Sequence, residues 1–500
     1  SETAHLVVVN HALLISDAVS DNRVIPDYQY LVIDEAHHLE EATTSGLSLR
    51  IDEGALKRRL ADLGTTRRGL LGAVLTAVRS AAPEKDARKL ELGIETIADA
   101  VRAMDAHLTG LFTAIRALVH DAGVPTSDTM NQLRVVDPVR RRATFTQVQT
   151  TWTTVAEFFD AISEAMRQLT RALGKLEPLH IPDHADLLSA VENTGRYLAE
   201  AQAQLHSFFT TPDANTIYWI AASSDGDYVG LNTAPLHVGK LVTEHLWSAK
   251  KSVVMTSATL QTNRSFDFLK DRLGAEHVTT MEVGSPFNYR DSTLVFVPND
   301  MPEPNDKARY QQAVERGIIE LAAALGGRVM VLFTSYAQLR QTAQAITPRL
   351  ALGNIVIFDQ SDGSSRQALL EGFKNTPRAI LLGTRSFWEG VDIPGEALSA
   401  LVIVRLPFTA PNEPIFAARS EMYTDSFNTF ALPDAILRFR QGFGRLIRTS
   451  TDRGIVAIFD NRVITKGYGE SFLTALPDAA VMRAPLATLP TAAADWLTKR

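Results

Sequence analysis

Cysteine is absent from all 500 residues. That removes disulfides, thiolate zinc sites and cysteine-held iron–sulfur clusters from the chemistry this stretch can carry. Long apolar runs are missing too. Nothing approaches the roughly 18 consecutive apolar residues of a membrane span, and no signal peptide opens the chain. No membrane partner is expected, and a cytoplasmic location is the default. Charge of one sign is also scarce. The net value of -7 exerts no global pull on nucleic acid, so such binding must come from local basic patches. What remains is the composition of an ordinary globular protein, 45% hydrophobic and 21% charged, too long for one core.

Residues 5 to 10 and 29 to 34 read as short buried strands of an α/β layer. From about 46 to 212 the pattern changes to helix. Apolar residues at 94, 97, 101, 104, 108, 111, 115 and 118 mark one seam along a long helix. A second seam runs Val155, Phe158, Ile162, Met166, Leu169, Leu173, Leu176, and a third Leu187, Val191, Leu198, Ala201, Leu205, Phe208. Matching seams predict an antiparallel all-α bundle. From about 216 strand-like runs return, among them "TIYWIAA", "KSVVMTSATL", "GGRVMVLFTS", "AILLGT" and "GIVAIFD". Helical stretches separate several of them, the βαβ signature of a parallel sheet covered on both faces.

The stretch "LVIDEAHHLEEA" (31–42) runs an apolar strand straight into Asp34 and Glu35. In a parallel sheet this puts both carboxylates at the carboxyl edge, where ligands of such folds bind. The first can hold Mg²⁺, a hard ion that prefers oxygen. The second can orient or deprotonate an attacking water. Asp34 could equally cap the following helix, so the pair alone does not decide. A metal site from His37 and His38 is disfavoured, because adjacent helical residues point to different sides. In "QGFGRLIRT" (441–449), Gln441, Arg445 and Arg448 fall at i, i+4 and i+7, which predicts one helix face. Two guanidiniums on one stripe suit a phosphate gripped bidentately; surface salt bridges are the alternative. In "SFWEGVDIPG", Gly390 permits a backbone turn, Glu389 and Asp392 can hydrogen-bond a ribose, and Trp388 is expected in the core.

Taken in order, these stretches resemble the motifs of superfamily 2 helicases. "DEAH" after a strand resembles their Walker B motif. "TSATL" (256–260), "VLFTSYAQL" (331–339), "LLGTRSFWEGVDIPG" (381–395) and "QGFGRLIRT" resemble four later ones. With a helical insertion between the first two, the chain resembles the DinG/XPD branch, whose insertion is called the arch. "GSPFNYRDSTLVFVP" and "TKGYGESFLTALP" are further similar to DinG-type sequences.

The resemblance implies an α/β fold: RecA-like motor domains with parallel sheets, plus an all-α arch. Residues 1–45 and 213–284 would form motor domain 1, 46–212 the arch, and 285–500 motor domain 2. It implies a monomeric ATP-dependent DNA helicase of DNA repair, using ATP and Mg²⁺ and moving 5′ to 3′ on single-stranded or forked DNA. Asp34 would position Mg²⁺ and Glu35 would activate water. His37, Glu389, Gly390 and Asp392 would line the nucleotide, and Gln441, Arg445 and Arg448 would sense the γ-phosphate. Ser257, Thr259, Thr334 and Ser335 would face DNA; Arg140 and Arg141 belong to the densest basic run of the chain, more commonly a solvated face, though an arch over DNA would need such charge. The rival is a non-motor nucleic-acid clamp whose degenerate helicase core serves a nuclease or an assembly.

One expected element is not in the sequence. The phosphate-cradling loop G-x-x-x-x-G-K-[ST] does not occur, and Gly174-Lys175 and Gly239-Lys240 are each followed by Leu. The chain also opens at Ser1 and is at once inside the strand-like "HLVVVNHALL". Both features lead to the expectation of the carboxyl-terminal part of a longer helicase, with any iron–sulfur or exonuclease domain upstream.

Overall fold

The computed structural model describes residues 4–20, 24–123, 130–176, 181–248, 250–262, 264–388, 393, 397–447, 449 and 451–498. Two compact units are present: Ser1–Ala42, Val238–Pro411 and Arg419–Arg500 in the first, Thr43–His237 and Asn412–Ala418 in the second. In chain order β1 (Tyr30–Ile33) belongs to the first unit. The strands β2 (Leu49–Asp52), β3 (Met130–Arg134), β4 (Thr216–Ser223) and β5 (Val229–Pro235) belong to the second. The chain then returns to the first unit with β6 (Ser252–Met255), β7 (Thr293–Pro298), β8 (Val329–Leu332) and β9 (Val356–Asp359). There follow β10 (Ala379–Gly383), β11 (Ala400–Ile403), β12 (Gly454–Ile458) and β13 (Ala480–Ala484).

In the first unit, β7 to β13 form a seven-stranded sheet in the order β13-β7-β12-β11-β8-β10-β9. Every pairing in it is parallel. Helices Lys307–Leu325 and Tyr336–Ala351 pack on one face, Arg366–Asn375 and Leu432–Phe443 on the other. Both faces are therefore dry, and the inner strands read as unbroken apolar runs such as "VMVL" and "ALVI".

The DEAH strand lies in a smaller sheet. β1 pairs in parallel with β6, Ile33 opposite Met255. One face packs Leu31, Ile33, Val253 and Met255 against the helices His11–Val19 and Asp267–Leu273. On the other face Tyr30, Val32 and Val254 are exposed at 72%, 70% and 52%.

The second unit is mainly three long helices, Glu84–Asp121, Ala143–Gly174 and His184–Phe209. The first and third seams lie as the spacing predicts, with Ile94, Ile97, Met104 through Leu118 and Val191 through Phe208 buried, and Val101 and Leu187 half-buried against them. In the second seam Phe159, not Phe158, is the buried ring; Phe158 stacks on His107. The unit is not all-α, and its boundary is not at 212. A four-stranded antiparallel sheet, β2-β5-β4-β3, closes it, so "TIYWIAA" belongs here and not to a motor sheet. Alternate residues explain the difference: Tyr218, Ile220 and Ala222 of β4 join the bundle core beside Phe208.

Candidate nucleotide site

The acidic pair sits where strand β1 ends. Hydrogen bonding continues one step past both strands, Thr256 N–H donating to Ile33 O (2.9 Å) and Ala36 N–H to Thr256 O (3.0 Å). Between them Glu35 takes the left-handed conformation, φ 50°, ψ 43°. For a side chain with a Cβ this costs on the order of 1 kcal/mol, and it persists only where flanking bonds enforce it. The kink turns Asp34 and Glu35 outward, and both are exposed. His11 Nε2 lies 2.9 Å from Asp34 O and braces the turn from the helix His11–Val19.

Ser257, from "TSATL", donates from Oγ to Glu35 Oε2 (3.1 Å) and lies 2.6 Å from His37 Nδ1. His37 Nδ1 is itself 3.3 Å from Glu35 Oε2. A hydrogen on Nδ1 lets His37 donate to Ser257 while Ser257 donates to Glu35. The imidazole stays neutral: burial, helped by His38, Arg445 and His11, pushes its pKa down to about 3. The Arg445 charge therefore reaches the DEAH site from the far end of the sequence.

Arg445 arrives there by a route the residue spacing does not describe. The helix Leu432–Phe443 ends with Gly444 as its cap, so Arg445 is not on a continuous helix face with Gln441. Arg445 instead lies in the turn beyond it. Its Nε donates to Gln441 O and to Trp388 O, both at 3.1 Å. Gly442 makes the approach to Trp388 possible, since a Cβ there would sit 2.7 Å from the indole. Trp388 is core, 3% exposed. Gln441 is buried, with Oε1 lacking a partner among the described residues. Arg448, Glu389, Gly390 and Asp392 lie outside the described residues.

The expected DNA-facing residues divide. Thr334 is exposed at the end of β8. Ser335 caps the helix Tyr336–Ala351, accepting from Gln338 N–H (3.3 Å). Thr259 is buried, so its hydroxyl presents nothing to a strand. Arg140 is also corrected. Its guanidinium lies over the rings of Phe145 and Tyr218 and donates to Phe208 O (2.8 Å), which makes it packing within the second unit. Arg141 is exposed, 4.0 Å from Asp137. Spacing missed Gln360, whose Oε1 accepts from Thr384 N–H (2.9 Å) and Thr384 Oγ1 (2.7 Å). Thr384 lies inside the "LLGTRSFWEGVDIPG" stretch, whereas nothing in sequence singles out Gln360.

Comparison with known proteins fits this geometry. The helicase C-terminal domain family matches residues 318–479. The ATP-dependent DNA helicase YoaA of Haemophilus influenzae is 30% identical over 96% of this chain and 68% of its own length. The chain belongs to the DinG/XPD-like helicase family. The 3′-5′ exonuclease DinG of Bacillus subtilis is 32% identical over 95% of this chain, which spans 52% of that relative's length. The ATP-dependent helicase DinG of Mycobacterium tuberculosis H37Rv is 29% identical, with 64% of its length covered. A solved XPD helicase shares the fold, with TM-score 0.51 over 93% of this chain at 14% identity. As a DinG/XPD-like chain, it has the α/β architecture with a parallel sheet that the motif order implied. Among the described residues no helix is long and apolar enough to cross a membrane.

Proposed function

We propose that the protein carrying this chain is an ATP-dependent motor that translocates 5′ to 3′ on single-stranded DNA and unwinds duplexes. The observation that carries this reading is the meeting of Glu35, Ser257 and His37, drawn from two separate motifs, at one strand edge, within reach of the Arg445 charge from a third. Packing alone does not require an acid, a hydroxyl, a neutral imidazole and a guanidinium together. The names of the Haemophilus and Mycobacterium relatives support it.

Asp34 fits a cation. Its exposed carboxylate, a hard oxygen donor, makes no ion pair among the described residues, and a Mg²⁺ ion needs only one or two protein carboxylates beside phosphates and water. Bound Mg²⁺ would supply charge neutralisation at the phosphates. Glu35 accepts the proton of the attacking water, its carboxylate held by Ser257. His37, kept neutral, orients the Ser257 hydroxyl. Arg445, with Nε committed to two carbonyl oxygens, is held ready to offset charge on the transferred phosphoryl group. Coupling to DNA would run through Ser257 and the sheet edge at exposed Thr334 and half-buried Thr384.

The name of the Bacillus relative favours a second reading, a clamp serving a nuclease. Purified full-length protein separates the two. The motor reading expects ATPase activity stimulated by single-stranded DNA, and ATP-dependent unwinding of a duplex with a 5′ tail but not a 3′ tail. DNA binding without nucleotide turnover would leave the clamp.

A further inference from the structure

Behind the DEAH turn lies a chain of buried charges that the proposed chemistry does not use. Glu40, in the first turn of the helix Leu39–Leu47, is 9% exposed. Its Oε1 accepts from Arg419 Nη1 (2.8 Å), and its Oε2 pairs with Arg272. Arg272, on the helix Asp267–Leu273, also reaches Asp434 Oδ1 (3.5 Å). Asp434 Oδ2 in turn pairs with Arg438 Nη2 (3.1 Å). The Arg272 guanidinium is sandwiched by Phe268 and Phe430, 4.8 and 4.9 Å from the ring centroids. Charge alternates along the whole series.

Its position is what suggests a role. Glu40 follows Glu35 by five residues, across the short 3-10 turn Ala36–His38. Asp434 opens the helix Leu432–Phe443, whose far end delivers Gln441 and Arg445. Two stiff elements thus leave one buried joint, one toward the acids and one toward the arginine. Arg440, on the same helix, donates to Gln261 O (2.6 Å), just past "TSATL". Buried ion pairs hold surfaces together no better than apolar packing of equal volume, so their retention asks for another reason. Here the inner members are shared. Glu40 has two cations and Arg272 two anions, so a shift can exchange one partner without baring a charge.

We propose that Glu40, Arg272 and Asp434 form a positioning joint that sets the Arg445 turn against the DEAH acids as the motor closes on nucleotide. This rests on the ATPase reading above. The residues act through Glu35 and Arg445 and do not touch the reacting atoms.

The test uses full-length protein with Arg272→Met, Glu40→Gln, the double variant and Arg272→Lys. Arg272→Met leaves Glu40 with Arg419 and Asp434 with Arg438, so folding is expected and is checked by thermal melting. Each neutral single variant should lower the kcat of DNA-stimulated ATPase about tenfold, with KM for ATP changed less than about twofold. The double variant should be no slower than the worse single, because both break one unit. Arg272→Lys should recover most of the rate. Unchanged kcat in folded single variants, or losses that multiply in the double, would overturn the joint while leaving the motor reading intact. Absence of ATPase in the wild type would overturn both.

Discussion

At the scale of single residues, the site turns on two groups that touch the same hydroxyl. Glu35 is exposed and strained, held by Ser257 at 3.1 Å. In full-length protein Glu35→Gln should leave ATP binding intact but lower kcat by about a hundredfold or more, the scale of lost general-base help. Steady-state ATPase with nucleotide binding measured separately checks this, and a wild-type rate removes Glu35 from the mechanism. His37 gives a pH signature. Its folded pKa, about 3, lies below the ordinary 6.5. Above pH 6.5 the imidazole is neutral folded or unfolded, and its contribution to stability is complete. Between 6.5 and about 3 only the unfolded chain takes the proton, so stability falls with acid, by at most about 1.4 kcal/mol per pH unit. Thermal melts of wild type and His37→Asn should diverge in slope across that window. Parallel curves would show an imidazole that titrates normally.

At the scale of elements, the second unit is the clearest case of sequence dictating structure. Its core, from Ile51 to Leu231, is drawn wholly from within residues 43–237. That segment expressed alone should give strongly helical circular dichroism and one cooperative melt. A disordered spectrum would mean its core needs other parts of the chain. The seams were legible because helix periodicity is local. The small sheet was not, because antiparallel β2 and β3 are short and find their partners β5 and β4 across long stretches of sequence. The candidate nucleotide site divides the same way. Asp34 and Glu35 announce themselves by ending an apolar strand. The end of the helix Leu432–Phe443 did not, since "GFGRLIRT" keeps helical spacing past Gly444. The Glu40–Arg272 pair left no trace either. An acid after a DEAH box and an arginine on a short helix look like surface charges until the fold buries them together.

At the scale of the whole molecule, the question is what these 500 residues can do unaided. Affinity for a triphosphate in such motors comes largely from backbone N–H groups and one lysine around the β- and γ-phosphates. No G-x-x-x-x-G-K-[ST] stretch occurs here to supply them. Asp34 and Glu35 then have no triphosphate held beside them, however well Ser257 and Arg445 are set. DNA contacts differ in kind. In the proposed reading they lean on phosphate charge and are spread along the sheet edge at Thr334 and Thr384, so they do not depend on a held triphosphate. The 500-residue chain should therefore show no measurable ATPase, while binding single-stranded DNA weakly and with steep salt dependence. The logarithm of the binding constant should fall by about 0.7 per neutralised phosphate for each tenfold rise in salt. Fluorescence anisotropy across a salt series, beside a phosphate-release assay, measures both. DNA-stimulated hydrolysis by this chain, abolished by Glu35→Gln so that a contaminant is excluded, would mean that some other part of it cradles the phosphates.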